Sequence, residues 1–195
     1  MSRFLLIGPP GSGKGTQAAL LAQAYDVPAI STGDIFRTHV KNETELGLRV
    51  KSIIASGEYV PDSLTNELVR DRLSEADAQK GFLLDGYPRT NDQVNELDDI
   101  LSAQGNVLDA VVLLVADSDE LVRRLLKRAE EQNRPDDTEE VIRHRQNVYL
   151  EQTKPLIDIY SSRSIVVEID GLGQVGEVTE RILNALTARG FSPIP

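Results

Sequence analysis

One run most constrains this chain. Gly8-Pro9-Pro10-Gly11-Ser12-Gly13-Lys14-Gly15-Thr16 lies directly between a short apolar stretch ending at Ile7 and a helical pattern. Glycines let a backbone curl until its N–H groups face inward, the arrangement that cradles phosphate oxygens. The following helix adds its N-terminal dipole, and Lys14 supplies a mobile positive charge for β- and γ-phosphates. The general pattern wants Ser or Thr straight after the lysine, whereas here Gly15 stands there and Thr16 follows. The plain alternative is a glycine-rich turn with a solvated lysine; the strand before it and the helix after it weigh against that.

The rest of the chain alternates. Strand-like apolar runs cover 3–7, 27–30, 81–85, 109–116 and 164–170. Helical periodicity covers 17–25, 34–56 with a break near Asn42 and a stop at Gly57, and a segment opened by Pro61-Asp62-Ser63 to about Glu75. It returns from Thr90 to about Ala103, with Thr90 and Gln93 as a capping box, and from Asp117 and Glu120 to about Glu131. Further helices are predicted over 138–161, kinked at Pro155, and over 175–188. Continuous apolar strands between helices belong to a parallel sheet covered on both faces, so the predicted class is α/β. At 195 residues the chain is predicted to be one domain with small insertions.

Composition narrows the function. With Cys 0 there is no thiol nucleophile, disulfide frame or thiolate zinc site. A net charge of −10 argues against general affinity for nucleic acid or anionic membrane. The longest strongly apolar stretch, 110–116, is far short of the ~20 residues of a membrane helix. Residues 4–7 run straight into Gly8-Pro9-Pro10, too short for a signal-peptide core. A soluble, intracellular protein is expected, placed in the cytoplasm.

The phosphate loop extended by Gln17, the run Ser31-Thr32-Gly33-Asp34, and Asp85-Gly86-Tyr87-Pro88-Arg89-Thr90 with Gln93 together resemble the adenylate kinase family, over residues 3 to about 173. The resemblance implies a P-loop nucleoside monophosphate kinase fold, five parallel strands flanked by helices. It implies an acceptor-binding insertion at 31–60, a short lid at 127–137, and the reaction ATP + AMP ⇌ 2 ADP with Mg²⁺. A monomer with ATP, AMP and ADP as its partners is expected on the same ground.

These residues also have a physical reading. Asp85 ends a strand near the loop, where it would hold Mg²⁺ through waters, since Mg²⁺ sites take only one or two carboxylates plus substrate oxygens. Asp34 would share that water network, or cap a helix. Arg89, aimed back by Pro88, and Arg37 would grip the acceptor phosphate in bidentate forks. Thr32 and Gln93 would hydrogen-bond the acceptor base, though the capping box explains Gln93 equally. By resemblance, Ile54 and the backbone of Glu58-Tyr59-Val60 line the acceptor pocket with Gly86, Tyr87 and Pro88, and Gly57 is a hinge. Gly11, Ser12, Gly13, Lys14, Gly15 and Thr16 would bind ATP, with Gly173 against the donor adenine.

The arginines matter because the chain is acidic. Donor and acceptor bring about six negative charges together, which a chain at −10 can hold only where its cations converge. Arg124 and Arg128 share a helical face, Arg145 lies on the next helix, and Arg134 lies in the polar break between them. The resemblance makes this region the lid, of the short type, without structural zinc. Arg124 and Arg128 are assigned to the donor and Arg134 and Arg145 to the acceptor. All four, with Lys14 and Arg89, are the proposed catalytic set. The alternative is charged helix surface paired with Glu130, Glu131, Asp136 and Asp137; Arg123, Lys127 and Arg143 are assigned to it. His39 and His144 receive no role. A phosphate monoester is substantially ionised at neutral pH, its second pKa being ~6, so no general base is required. A kinase for CMP, UMP or GMP is the nearest rival, and Thr32 with Gln93 argues against it. A nucleotide-dependent switch fits only Asp170-Gly171-Leu172-Gly173.

Overall fold

Apolar side chains of both parities fill the strands, so each strand must be covered on two faces. The computed structural model describes residues 2–132 and 138–194, with residues 130–132 described by backbone alone. Five strands form one sheet: β1 (Arg3–Ile7), β2 (Ala29–Ser31), β3 (Phe82–Asp85), β4 (Ala110–Val115) and β5 (Val166–Asp170). Their spatial order is β2-β3-β1-β4-β5 and every pairing is parallel. This is the α/β architecture of P-loop nucleoside monophosphate kinases.

Alternation along β1 divides the core. Leu5 and Ile7 join Leu84, Val111 and Leu113 on one face, against Val69 and Leu73 of α4 (Asp62–Ser74), Leu97 and Leu101 of α5 (Asn91–Ala103), and Tyr160 of α8 (Leu156–Ser162). Phe4 and Leu6 join Leu83, Val112 and Leu114 on the other, against Leu21 and Tyr25 of α1 (Lys14–Tyr25) and Ile182 and Leu186 of α9 (Val175–Thr187). A third, separate cluster of Phe36, Val50 and Val60 sits under α2 (Thr32–Lys41) and α3 (Glu45–Ser56). Those two helices have a small core of their own, although Ile35 of α2 packs on the main core. The remaining helices are α6 (Ser118–Gln132) and α7 (Glu139–Val148).

Several boundaries move from their sequence positions. Helix α1 begins at Lys14, inside the glycine-rich run, where left-handed Gly13 caps it; periodicity alone marks it only from Gln17. Strand β2 is displaced toward Ser31, where it pairs with Asp85. The helix predicted over 138–161 is not continuous. It opens into a wide π turn at Tyr149–Thr153, ahead of Pro155, and restarts as α8.

Helices α2 and α3 touch backbone to backbone: a Cβ placed on Gly47 would lie 2.0 Å from the carbonyl oxygen of His39. Gly47→Ala is expected to destabilise this pair by about 1–3 kcal/mol. Hydrogen exchange should show faster amide loss in α2 and α3 than in β1 and β4; equal loss throughout would contradict a locally packed pair.

Candidate functional site

All five strands run the same way, so their C-terminal ends share one edge, with Ser31 opposite Asp85 and Leu6 beside it. Chain order reverses between β1 and β4, and ligands of open α/β sheets bind outside the strand ends at such a point. A cleft of about 1060 Å³ opens there.

The loop after β1 forms its floor. Gly13, at φ 92°, caps α1 without a side chain, and the first turn of α1 carries no acidic residue. The amides at this helix end are therefore left to an anion from the cleft. Lys14 curls back over the loop and donates from Nζ to the carbonyls of Gly8 at 2.7 Å and Pro9 at 3.0 Å. Lys14 is half-buried, and burial pulls its pKa down to about 8. Asp85 opposes that fall, while Arg89 and Arg128 add to it. The Asp85 carboxyl is pushed up by burial, with Lys14 and then Arg89 pulling it back.

The opposite wall comes from α2, the loop after α3 and the turn after β3. Ser31 caps α2, accepting from the Asp34 amide at 3.3 Å, so Asp34 is not the cap. Instead Asp34 Oδ1 accepts from Arg37 Nη2 at 2.5 Å. Buried Thr32 donates to the Gly86 carbonyl at 3.0 Å, and Arg89 Nε donates to the same oxygen at 2.7 Å. The Tyr87–Pro88 peptide is cis. Only half of the expected capping box forms. Thr90 accepts from the Gln93 amide, but Gln93 Oε1 reaches past Thr90 to the Arg89 amide at 2.7 Å. Gln93 is 1% exposed and its Nε2 donates to Asp62 Oδ1 at 2.6 Å, a partner that no local pattern signals.

The third wall is α6 with the loop after β5. Arg124 donates from Nε to Glu120 at 2.7 Å and from Nη1 to the Gly171 carbonyl at 3.0 Å, which aims it along the loop rather than into solvent. Gln17, 3% exposed, bonds the Val175 carbonyl at 3.1 Å and accepts from Thr179 at 2.8 Å, tying α1 to the start of α9.

The cleft is lined by the loop residues Gly11, Ser12, Gly13, Lys14, Gly15 and Thr16, and by Thr32, Asp34, Arg37, Ile54, Glu58, Tyr59 and Val60. Asp85, Gly86, Tyr87, Pro88, Arg89, Gln93, Arg124, Arg128, Arg145 and Gly173 complete the expected set. Arg134 lies outside the described residues. Arg123 and Lys127, assigned to surface by sequence, also line the cleft; Arg143 pairs with Glu139 on the exposed face of α7. Sequence reasoning missed Glu120, whose signal was its spacing of four from Arg124, and Tyr149 and Thr153, which carried none. His144 bonds Glu58 at 2.6 Å. Among the described residues no cluster of three or more His, Cys, Asp or Glu could hold a metal, and no helix is long and apolar enough to cross a membrane.

Residues 6–165 match the adenylate kinase family profile. The chain is 60% identical to the adenylate kinase of Leifsonia xyli over 191 residues, covering 98% of this chain and 96% of that protein. It is 62% identical to that of Kocuria rhizophila over 186 residues, 95% and 99% of the two chains. The adenylate kinase of Micrococcus luteus is 52% identical over 198 residues, 100% of this chain and 97% of that one. The chain belongs to the adenylate kinase family. It is accordingly a nucleoside monophosphate kinase, a nucleotide-binding transferase.

Burial of Lys14 makes a prediction for this family member. Its folded pKa lies below the unfolded value of 10.5, so between about 8 and 10.5 the unfolded chain binds more protons and stability must rise with pH. Urea midpoints of wild type and Lys14→Met are expected to diverge in favour of wild type as pH climbs through that window. A constant difference would mean the ammonium is not buried.

Proposed function

We propose that the protein catalyses reversible phosphoryl transfer from ATP to AMP, giving two ADP. The observation that carries this reading is that Lys14, Asp85 and Arg89 line one cleft whose walls also carry Arg37, Arg124, Arg128 and Arg145. The loop would bind the donor phosphates. Ser12 supports this, since its Oγ is buried without a hydrogen-bond partner among the described residues. Arg124 and Arg128 would serve the donor, with Gly173 beside its base. Arg37, Arg89 and Arg145 would bind the acceptor phosphate, with Arg134 of the proposed lid.

The residues present fit Mg²⁺. One enclosed carboxylate, Asp85, faces Gly15 across 3.7 Å from that residue's Cβ position, and the Thr16 hydroxyl lines the same cleft. Few, hard oxygen donors suit an ion that keeps waters and shares phosphate oxygens. Asp85 would hold it, with Asp34 further out in the same network. When bound, Mg²⁺ would supply positive charge to offset that of the nucleotide phosphates.

The chain's own part is positioning. The acceptor phosphate is already ionised at neutral pH, so no residue need remove a proton from it. Lys14 and the arginines hold donor and acceptor in line and stabilise charge spread over the moving phosphoryl group. For the base, Thr32 and Gln93 remain the proposed readers. Gln93 is locked by Arg89 and Asp62, which leaves its second Nε2–H for a base edge. The loop from Glu58 to Val60 and Ile54 would form the rest of that pocket.

We further propose that residues 31–60 form a small unit that closes over the nucleotides; the lid expected at 127–137 lies in part outside the described residues. The separate core beneath α2 and α3 and the left-handed Gly57 at the exit of α3 support this closure. Closure would keep water from accepting the phosphoryl group.

With ATP-Mg²⁺ and each monophosphate in turn, ADP is expected to form rapidly with AMP, and CMP, UMP and GMP to react slower by roughly 10²-fold or more. A preference for CMP or UMP would keep the chemistry and overturn the base assignment. Arg89→Met is expected to lower kcat by ~10³-fold or more while leaving the thermal midpoint unchanged. Spin labels at exposed Lys51 and Asp99 should approach one another when a bisubstrate analogue is added; an unchanged distance would contradict closure.

A further inference from the structure

Tyr59 is linked to Arg89 by two routes, one direct and one through Thr153. The guanidinium carbon of Arg89 lies 4.8 Å from the centre of the Tyr59 ring. At the far end of that ring, the Tyr59 hydroxyl is 2.8 Å from Thr153 Oγ1. Thr153 in turn donates to the backbone carbonyl of Arg89 at 3.0 Å. A carbonyl only accepts, so the single hydroxyl proton of Thr153 is committed to Arg89, and Tyr59 must be the donor to Thr153. The donors therefore run from Tyr59 to Thr153 to the Arg89 carbonyl, and the circuit closes through the guanidinium on the Tyr59 ring.

Three segments far apart in sequence make this ring: the loop leaving α3, the turn after β3, and the π turn between α7 and α8. Thr153, only 4% exposed, is the last residue of that π turn. Single π turns inside helices recur at functional sites because they re-aim side chains. Here the turn delivers a hydroxyl to the backbone of a cleft arginine. The rest of Arg89 is fixed as well, by its amide to Gln93 and its Nε to Gly86.

We infer that Thr153 and the Tyr59 side chain are positioning residues for Arg89, holding its guanidinium in a single orientation toward the acceptor phosphate. The inference rests on the reading of Arg89 as a phosphate ligand. An arginine otherwise loses rotamer freedom each time it grips a phosphate, whereas a stacked and backbone-anchored one has already lost it. The Thr153 hydroxyl gives its one proton to the Arg89 carbonyl, so it has none left to donate to substrate and acts through Arg89.

The test compares Tyr59→Phe, Tyr59→Leu, Thr153→Val and Thr153→Ser, each alone and combined with Arg89→Lys. AMP affinity is read by calorimetry, kcat and both KM values by steady-state assay, and folding by thermal unfolding. Thr153→Val and Tyr59→Leu are expected to weaken AMP binding and lower kcat/KM for AMP about five- to tenfold, the scale of one lost buried hydrogen bond or stacked cation. The KM for ATP should not move, Tyr59→Phe should fall between, and Thr153→Ser should restore wild-type values. Combined with Arg89→Lys, the same changes should add less than about twofold, because coupled residues are non-additive. The inference fails if the losses are as large beside Arg89→Lys as without it, if ATP and AMP parameters fall together with the melting temperature, or if Thr153→Val behaves as wild type. If unmodified protein shows no AMP-dependent turnover, the reading of the cleft fails and takes this inference with it; that outcome appears without any substitution.

Discussion

Strand β1 is buried along its length and hydrogen-bonded on both sides, to β3 and to β4. Its C-terminal end cannot shift without breaking two ladders, and that end is where the backbone turns into the glycine-rich loop. The same register sets Asp85 beside Leu6, so the carboxylate and the loop lysine inherit their separation from the sheet. Everything else in the cleft is arranged around this pair. Burial pushes the ammonium and the carboxyl each toward its neutral form, and each partly offsets that push on the other.

An acidic chain that gathers cations in one cleft must orient them. Here the acceptors come from the protein itself: Asp34 for Arg37, Glu120 and the Gly171 carbonyl for Arg124, the Gly86 carbonyl and the Tyr59 ring for Arg89. Backbone carbonyls are well suited to this, because they direct a guanidinium without neutralising it. The price is local: Gly86 serves both Thr32 and Arg89 and has no side chain that could intrude.

Much of this was legible residue by residue. The loop, the five apolar runs and the cap at Thr90 depend on neighbours within a few positions, and the structure places them close to where local rules require. The misreadings share a cause. Asp34 looks like a cap, but Ser31 reaches the same amide and leaves the carboxylate to Arg37. Gln93 looks like half of a capping box, but Asp62, 31 residues away, takes its amide group. Residues 149–153 look like ordinary helix, because a π turn is set by what the helix packs against and not by its own propensities.

By itself the sequence determined the alternation of strands and helices, hence a parallel sheet, and the glycine-rich turn at the end of its first strand. Those follow from periodicity and from backbone freedom, which are properties of short windows. Tertiary structure alone decided which charges face one another: that Lys14 shares one cleft with Asp85, that Arg123 and Lys127 line the cleft, and that Tyr59, Thr153 and Arg89 close a ring. Side chains 30 to 94 positions apart meet only once the strands have been ordered β2-β3-β1-β4-β5, and their energies depend on desolvation that no window of sequence contains.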